Sequence, residues 1–359
     1  MGARGPKERR IARKHKEGPM AKRSVSIYDI AQLAGVSTAT VSNVLNNKGS
    51  FSDKTRDAVL RIAREQGYVA NFAAKSLREA STKSVAILTP DVSNDFFSTL
   101  VLKVEGLLRA AGYTSYICNT AGDAAREDAY VRDLVSKQVD GFVCIGGVTP
   151  APCAVAADLP VVHIDHRGRL GMPRELKVGN DLPAMGYDMT RTLLAHGCTR
   201  VALVSVSASL YHAGEPDQAL GYRSCLADHG LVAEPELLLE GPHQQPSLVE
   251  AGLLVDACLD AGHAFDGVVA LGDRVALGVV NALKVRGVAV GSAVRVIGMD
   301  DSIYSRVSTP AISTVRRDTD ELARRGASAL LALLAGERLA PEPIVVPHEI
   351  VERATTLGE

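Results

Sequence analysis

In the stretch IAQLAGVSTATVSNVLN, Ile30 to Asn46, the apolar residues fall into two short clusters separated by AGVS. A helix buried in a core gains nothing from such a break, whereas a helix held across a second one, with its far face bare, requires it. Upstream, Ile27, Ile30, Ala31 and Ala34 repeat at helical spacing, and downstream Val41, Val44 and Leu45 share one face. Ser37 stands where it can cap the second helix, just after Gly35 in the turn. A third helix is expected to open at Ser52, to bury Ala58, Val59, Ile62 and Ala63, and to stop at Gly67. The spacing predicts a helix-turn-helix whose second helix turns Thr38, Ala39, Ser42 and Asn43 outward. These residues are small and polar and suit base edges in a major groove: Asn can bond adenine bidentately, and Ala or a Thr methyl can touch a thymine methyl. A plain three-helix bundle with a solvated face fits the helix pattern alone equally well.

Charge points the same way. The 359 residues carry a net charge of −1, but residues 1–80 hold 16 Lys+Arg against 7 Asp+Glu and the remainder 24 against 34. A basic end on an acidic chain suggests a nucleic-acid-facing segment. Much of the excess lies in residues 1–23, which lack apolar periodicity and read as a disordered basic tail; Met20 offers a second start of translation. No run of about 18 apolar residues suggests a membrane span, and no apolar segment follows the basic start as in a secretion signal. Cys118, Cys144, Cys153, Cys198, Cys225 and Cys258 are widely spaced without a CxxC pair. They read as buried reduced thiols, which places the protein in the cytoplasm.

From Ser84 the texture changes to alternating strands and helices. SVAILTP, TSYICNT, GFVCIGG, LPVVHID, RVALVSV, GVVALGD and AVRVIGMD are short apolar runs, and helix-like segments such as 97–111 and 181–196 separate most of them. This pattern specifies parallel sheets covered by helices on both faces, and the number of units fits two doubly wound halves better than one sheet.

SIYDIAQLAGVSTATVSNVLN, followed by FSDKTRDAVLRIAREQGYVANFAAKSL, resembles the headpiece of the LacI/GalR transcriptional regulators. The resemblance continues through VAILTPDVSNDFF, VDGFVCIGG, LPVVHIDHR, FDGVVALGDRVALG, VRVIGMDDS and TPAISTV, with a leaning toward the purine-repressor type. It implies an all-α headpiece at residues 24–69, a hinge at 70–83, and an effector-binding and dimerisation body at 84–359. That body would be an α/β pair of doubly wound subdomains like the type I periplasmic binding proteins. One subdomain would comprise about 84–178 and 316–343, the other about 179–315 and 344–359.

By the same resemblance, Thr38, Ala39 and Asn43 match base-reading positions, and Ser52 and Thr55 match phosphate-bonding ones. Many members carry Arg where this chain has Asn43. Asn71, Ala74, Lys75 and Leu77 match the hinge, Leu77 as an apolar wedge in the minor groove. Phe96, Phe97, Asp165 and Asp300 match positions around an effector pocket, whereas Asp301 reads as a turn or capping residue. Two departures stand out: Gln218 replaces a usual Arg, and Gly272-Asp273 replaces a usual Asn-Asp pair. Without that guanidinium a neutral effector, a sugar or a nucleoside or purine, is expected over an anion, unless His243 or Arg223 compensates.

An enzyme is the main rival. No GxGxxG follows a strand, and neither GxxxxGK[ST] nor GxSxG occurs. HIDHR brings His163, Asp165 and His166 close in sequence, but His166 lies off the strand face the other two share, so neither metal nor cofactor is expected. The expectation is a homodimeric, DNA-binding regulator of the repressor type, with a pseudo-palindromic operator and a small effector as partners. No leucine heptads follow VVPHEIVERATTLGE, so no tetramer-forming tail is expected.

Overall fold

The computed structural model describes residues 25–46, 48–68, 81–146, 158–165, 174–205, 217–241 and 247–358. The chain forms two compact units that divide between residues 78 and 79.

The first unit is helical. Ile27–Ala34 (α1) opens on a capping box in which Ser26 and Asp29 bond each other's backbone N–H groups, and it ends on Gly35 at φ 65°. A left-handed residue turns the chain sharply at little cost only when it is glycine. Ser37 then caps Thr38–Leu45 (α2) by accepting from the Thr40 N–H, and Ser52 caps Asp53–Glu65 (α3) in the same manner. Ile30, Ala31, Val41, Val44, Val59, Ile62 and Ala63 form the buried centre. Ala58, expected there, is half-buried at its edge.

The second unit holds two six-stranded sheets. The first contains Ser84–Thr89 (β1), Thr114–Asn119 (β2), Phe142–Ile145 (β3), Val161–Ile164 (β4), Glu175–Gly179 (β5) and Ile344–Val345 (β11), ordered β11-β5-β4-β3-β1-β2. The second contains Val201–Ser205 (β6), Leu238–Glu240 (β7), Gly267–Ala270 (β8), Arg295–Asp300 (β9), Ser313–Arg317 (β10) and His348–Val351 (β12), ordered β12-β10-β9-β8-β6-β7. All pairings within these sheets are parallel except β10 with β12. The chain reaches β12 on its last return from the first sheet and so runs opposite to its neighbour. Strands β1, β3 and β4 are buried throughout, as parallel strands covered on both faces must be.

Helices Asp95–Ala110 (α4) and Thr319–Leu334 (α10) cover one face of the first sheet, and Ala124–Ser136 (α5) covers the other. On the second sheet, Leu182–Ala195 (α6) and Asp217–Asp228 (α7) face Ser247–Asp260 (α8) and Asp273–Val285 (α9) across the strands. Helices α6 and α7 touch backbone to backbone. A Cβ on Gly186 would lie 1.9 Å from the Gln218 carbonyl oxygen, and one on Gly221 would lie 1.9 Å from that of Pro183.

The crossings between sheets depart from the expected boundaries. Gly179 still pairs in β5 with β11, Arg316 and Arg317 end β10 of the second sheet, and Ile344–Val345 pairs with Val178 and Gly179. Residues 344–345 therefore belong to the first subdomain and 316–317 to the second, because backbone pairing along the strand edges carries each strand past the apolar run that marks it. Cys118, Cys144, Cys198, Cys225 and Cys258 are buried and free, as expected, and Cys153 lies outside the described residues. Among the described residues no helix is long and apolar enough to cross a membrane.

Candidate nucleic-acid interface and ligand cleft

On α2, Ala39 and Asn43 are exposed and Thr38 and Ser42 half-buried, while Val41 and Val44 hold the helix to its neighbours. Asn43 is braced by the loop behind it. Its carbonyl accepts from the Lys48 N–H at 2.9 Å, and Gly49 at φ 79° brings the backbone close to the Asn43 amide. Ser42 is less available, since Asn46 Nδ2 lies 3.5 Å from its Oγ. Ser52 and Thr55 meet at the start of α3 with their hydroxyls 2.9 Å apart, Ser52 Oγ also accepting from the Thr55 N–H. Exposed hydroxyls at a helix N-terminus offer donors to an anion such as phosphate. Asn71, Ala74, Lys75 and Leu77 lie outside the described residues.

In the body, the residues matched to an effector site gather where the strands of both sheets end. Arg317 is the hub. Its side chain is 2% exposed, with Nη2 2.5 Å from Asp165 Oδ1 at the end of β4 and Nη1 3.3 Å from Asp300 Oδ1 at the end of β9. Its Nε donates to Asn180 Oδ1 at 2.8 Å, and the guanidinium lies 3.8 Å from the centroid of the Phe96 ring. Asp165 and Asp300 both adopt left-handed backbone conformations, at φ 58° and 107°. Such strain at strand ends turns carboxylates toward one point. Phe96 and Phe97 meet edge to face at 5.7 Å, but Phe97 wedges against Gly146, where a Cβ would come within 2.7 Å of its ring. A cleft of about 200 Å³ adjoins this cluster, lined by Asp165, Lys177, Asn180, Pro183, Asp217 and Ile344 among others.

The charges compete. Burial opposes the charge on Arg317, but Asp165 and Asp300 outweigh it and hold its pKa above the ordinary value. Burial, which raises the pKa of Asp300, and Arg317, which lowers it, compete, and with the like charges of Asp165 and Asp95 also raising it the net value is about 6. Asp165 and Asp300 thus share one guanidinium, with the charge of Asp95 nearby, and the site is net negative.

Asp273 is placed differently from its expected neighbours. It is 2% exposed, with Oδ1 accepting from the Thr314 hydroxyl and Oδ2 from the Ser302 N–H, each at 2.6 Å. Only a glycine at 298 leaves room for it, since a Cβ there would lie 2.5 Å from Asp273 Oδ1. Burial, and next the charge of Asp300, raise its pKa to about 7. Both oxygens are engaged, Oδ2 joining α9 to the loop after β9 and Oδ1 joining it to β10. Gln218 is buried at the start of α7, its amide 3.8 Å from Met299 Sδ. Arg223 lies on the same helix, and His243 lies outside the described residues.

Asp301, expected to cap or to turn, takes a left-handed turn conformation after β9, at φ 51°, and its carboxylate gathers cations. Arg306, Arg316 and Arg353 close on it at 2.9, 2.8 and 2.5 Å. Burial opposes its charge, but these hydrogen bonds prevail and lower its pKa to about 2. His163 is buried against Glu175, Nε2 to Oε1 at 3.2 Å, and Asp165 has left the strand face that His163 shares. His166 lies outside the described residues, and among those described no three candidate ligands could hold a metal ion.

Sequence reasoning missed Arg317. The usable signal was the strand alternation, because Arg317 follows buried Val315 by two residues and must face the same way.

A helix-turn-helix unit followed by two doubly wound sheets with ligand-type residues at the strand ends defines a class, the DNA-binding domain joined to a periplasmic-binding-protein-like body. Family comparison bears this out: residues 26–71 match bacterial regulatory proteins of the lacI family, and residues 190–356 match the periplasmic binding protein-like domain. The chain is 30% identical over 338 residues to the HTH-type transcriptional regulator DegA of Bacillus subtilis (strain 168), covering 92% of this chain and 98% of that one. It is 27% identical to the HTH-type transcriptional repressor PurR of Vibrio atlanticus (strain LGP32), covering 92% and 98%. The lac repressor dimer bound to operator and the anti-inducer ONPF shares the fold, with a TM-score of 0.82 at 23% identity, covering 94% of this chain and 100% of that one. The chain belongs to the LacI family of bacterial regulatory proteins, which are DNA-binding regulators of transcription and not enzymes.

Proposed function

We propose that the protein is a cytoplasmic repressor that binds a pseudo-palindromic operator as a homodimer, and that a small neutral effector of the sugar or nucleoside kind sets its operator affinity. The observation that carries the effector class is the Arg317 cluster. Its guanidinium is already held by two carboxylates, so an anion entering the cleft meets a net negative site. Hydroxyl groups can instead donate to Asp165 and Asp300 and accept from Arg317 and Asn180. A homodimer is supported by exposed apolar side chains on both subdomains, Leu102, Tyr116 and Ile117 on the first and Leu253 and Val285 on the second. Two recognition helices related by a two-fold axis would read inverted half-sites, with Thr38, Ala39, Ser42 and Asn43 on bases and Ser52 and Thr55 on phosphates.

Thermal shift against ribose, glucose, adenosine and guanine, each beside its phosphate or acid analogue, tests the effector class, because a ligand of the folded state raises its stability by mass action. A neutral member should give the larger shift, and Asp300→Asn should weaken it by about 1.5–3 kcal/mol. Larger shifts from the anionic members would overturn this reading.

A further inference from the structure

At the end of the first sheet opposite the cleft, where its strands begin, lies a second cavity of about 570 Å³. Val139, Leu159, Pro160 and Leu334 give it apolar walls, and Lys83 and Arg174 stand at it as cations. Lys83 Nζ lies 4.5 Å over the Tyr113 ring and 3.1 Å from its hydroxyl. The Arg174 guanidinium donates to the main-chain carbonyls of Asp158 and Leu333. Among the described residues neither cation is paired with a carboxylate. Two acids share the lining: Asp158, whose main-chain carbonyl takes the Arg174 bond, and Asp140, which accepts from the Ser81 and Thr82 hydroxyls and the Thr82 and Lys83 N–H groups, at 2.5 to 3.0 Å. Those four bonds hold Lys83 at φ 47° and thereby fix where its side chain starts.

Two cations with neutral partners beside an apolar hollow suit a ligand with one anionic head and an apolar body. The head would find a guanidinium fork and an ammonium, which together make strong charge-assisted bonds. The body would displace water from the walls. We infer that this cavity is a second ligand site, distinct from the cleft, for a small organic anion with an apolar or aromatic body. Its occupant would touch Ser81–Lys83, the described end of the segment expected to be the hinge, and so would reach DNA binding without entering the cleft.

Anilinonaphthalene sulfonate, an aryl anion that fluoresces on leaving water, serves as the probe on the full chain, with neutral N-phenylnaphthylamine as its uncharged counterpart. One sulfonate site per chain is expected, bound more tightly than the neutral dye. Lys83→Gln and Arg174→Gln should each weaken it by about tenfold, while Lys83→Arg and Arg174→Lys stay within about threefold. The charge-keeping variants hold the test open should Arg174→Gln fail to fold. Asp165→Asn, in the cleft, should leave the probe alone. Equal binding of the neutral dye, loss of the probe on Asp165→Asn, indifference to both glutamine variants, or no binding below about 1 mM would each overturn the site.

Discussion

Replacing Arg317 by glutamine removes the cation that lies between Asp165 and Asp300 and leaves both carboxylates at the end of their strands. All three side chains are nearly buried, at 2, 11 and 12% exposure, so water can replace the guanidinium only in part. Breaking a buried pair by deleting one partner costs about 3–5 kcal/mol, and the stacking on Phe96 adds about 0.5–2. Glutamine can still donate to Asn180, which offsets part of the loss. The cost must depend on pH. Asp300 has a pKa of about 6 with Arg317 beside it, and without Arg317 that value rises. Between the two values the folded variant holds a proton that the folded wild type does not, while the unfolded chains titrate alike. The deficit of the variant therefore grows as pH rises above 6, by up to about 1.4 kcal/mol per pH unit until the variant's Asp300 also ionises. Urea unfolding of both proteins at pH 5.5 and 8 measures this directly. A deficit that is the same at both values, or that shrinks with rising pH, would refute the assignment of Arg317 as the counter-ion of Asp300.

Asn43→Arg should change base preference at one position in each half-site, shifting discrimination by about 1–3 kcal/mol, and selection from randomised DNA reads it. Asp301→Asn should lose about 2–3 kcal/mol at pH 7. Because the folded pKa of Asp301 is about 2, that contribution exists above pH 4 and fades as pH falls toward 2, so denaturation curves of the two proteins should converge there. Gly221→Ala would press a Cβ against the Pro183 carbonyl and should cost at least about 1–3 kcal/mol, seen as a lowered thermal midpoint.

The sequence shows its architecture where periodicity and burial agree. The helix-turn-helix is legible because Gly35 and Ser37 stand at the turn and because the apolar positions of α1 and α2 leave one face bare. The parallel strands are legible because a strand covered on both faces must be apolar throughout. The crossings between sheets were misplaced by a few residues, since edge strands such as Ile344–Val345 are held by backbone pairing that leaves little trace in side chains. At the cleft, Asp165 and Asp300 were visible as acids closing apolar runs. Asp273 was marked by the resemblance alone, as half of a usual Asn-Asp pair, yet its oxygens are engaged by Ser302 and Thr314, partners separated from it by many residues in the chain. Arg317 stayed hidden within the Arg316-Arg317 pair, which reads as basic surface until strand alternation turns one inward and the other out.

Selection of bound fragments from a random DNA pool by the full-length protein bears most directly on the account. A homodimer presenting two α2 helices should enrich an inverted repeat with fixed half-site spacing, and affinity for that repeat should exceed affinity for random DNA by about 10³-fold or more. Enrichment of a single unrepeated motif, or equal affinity for selected and random DNA, would contradict it.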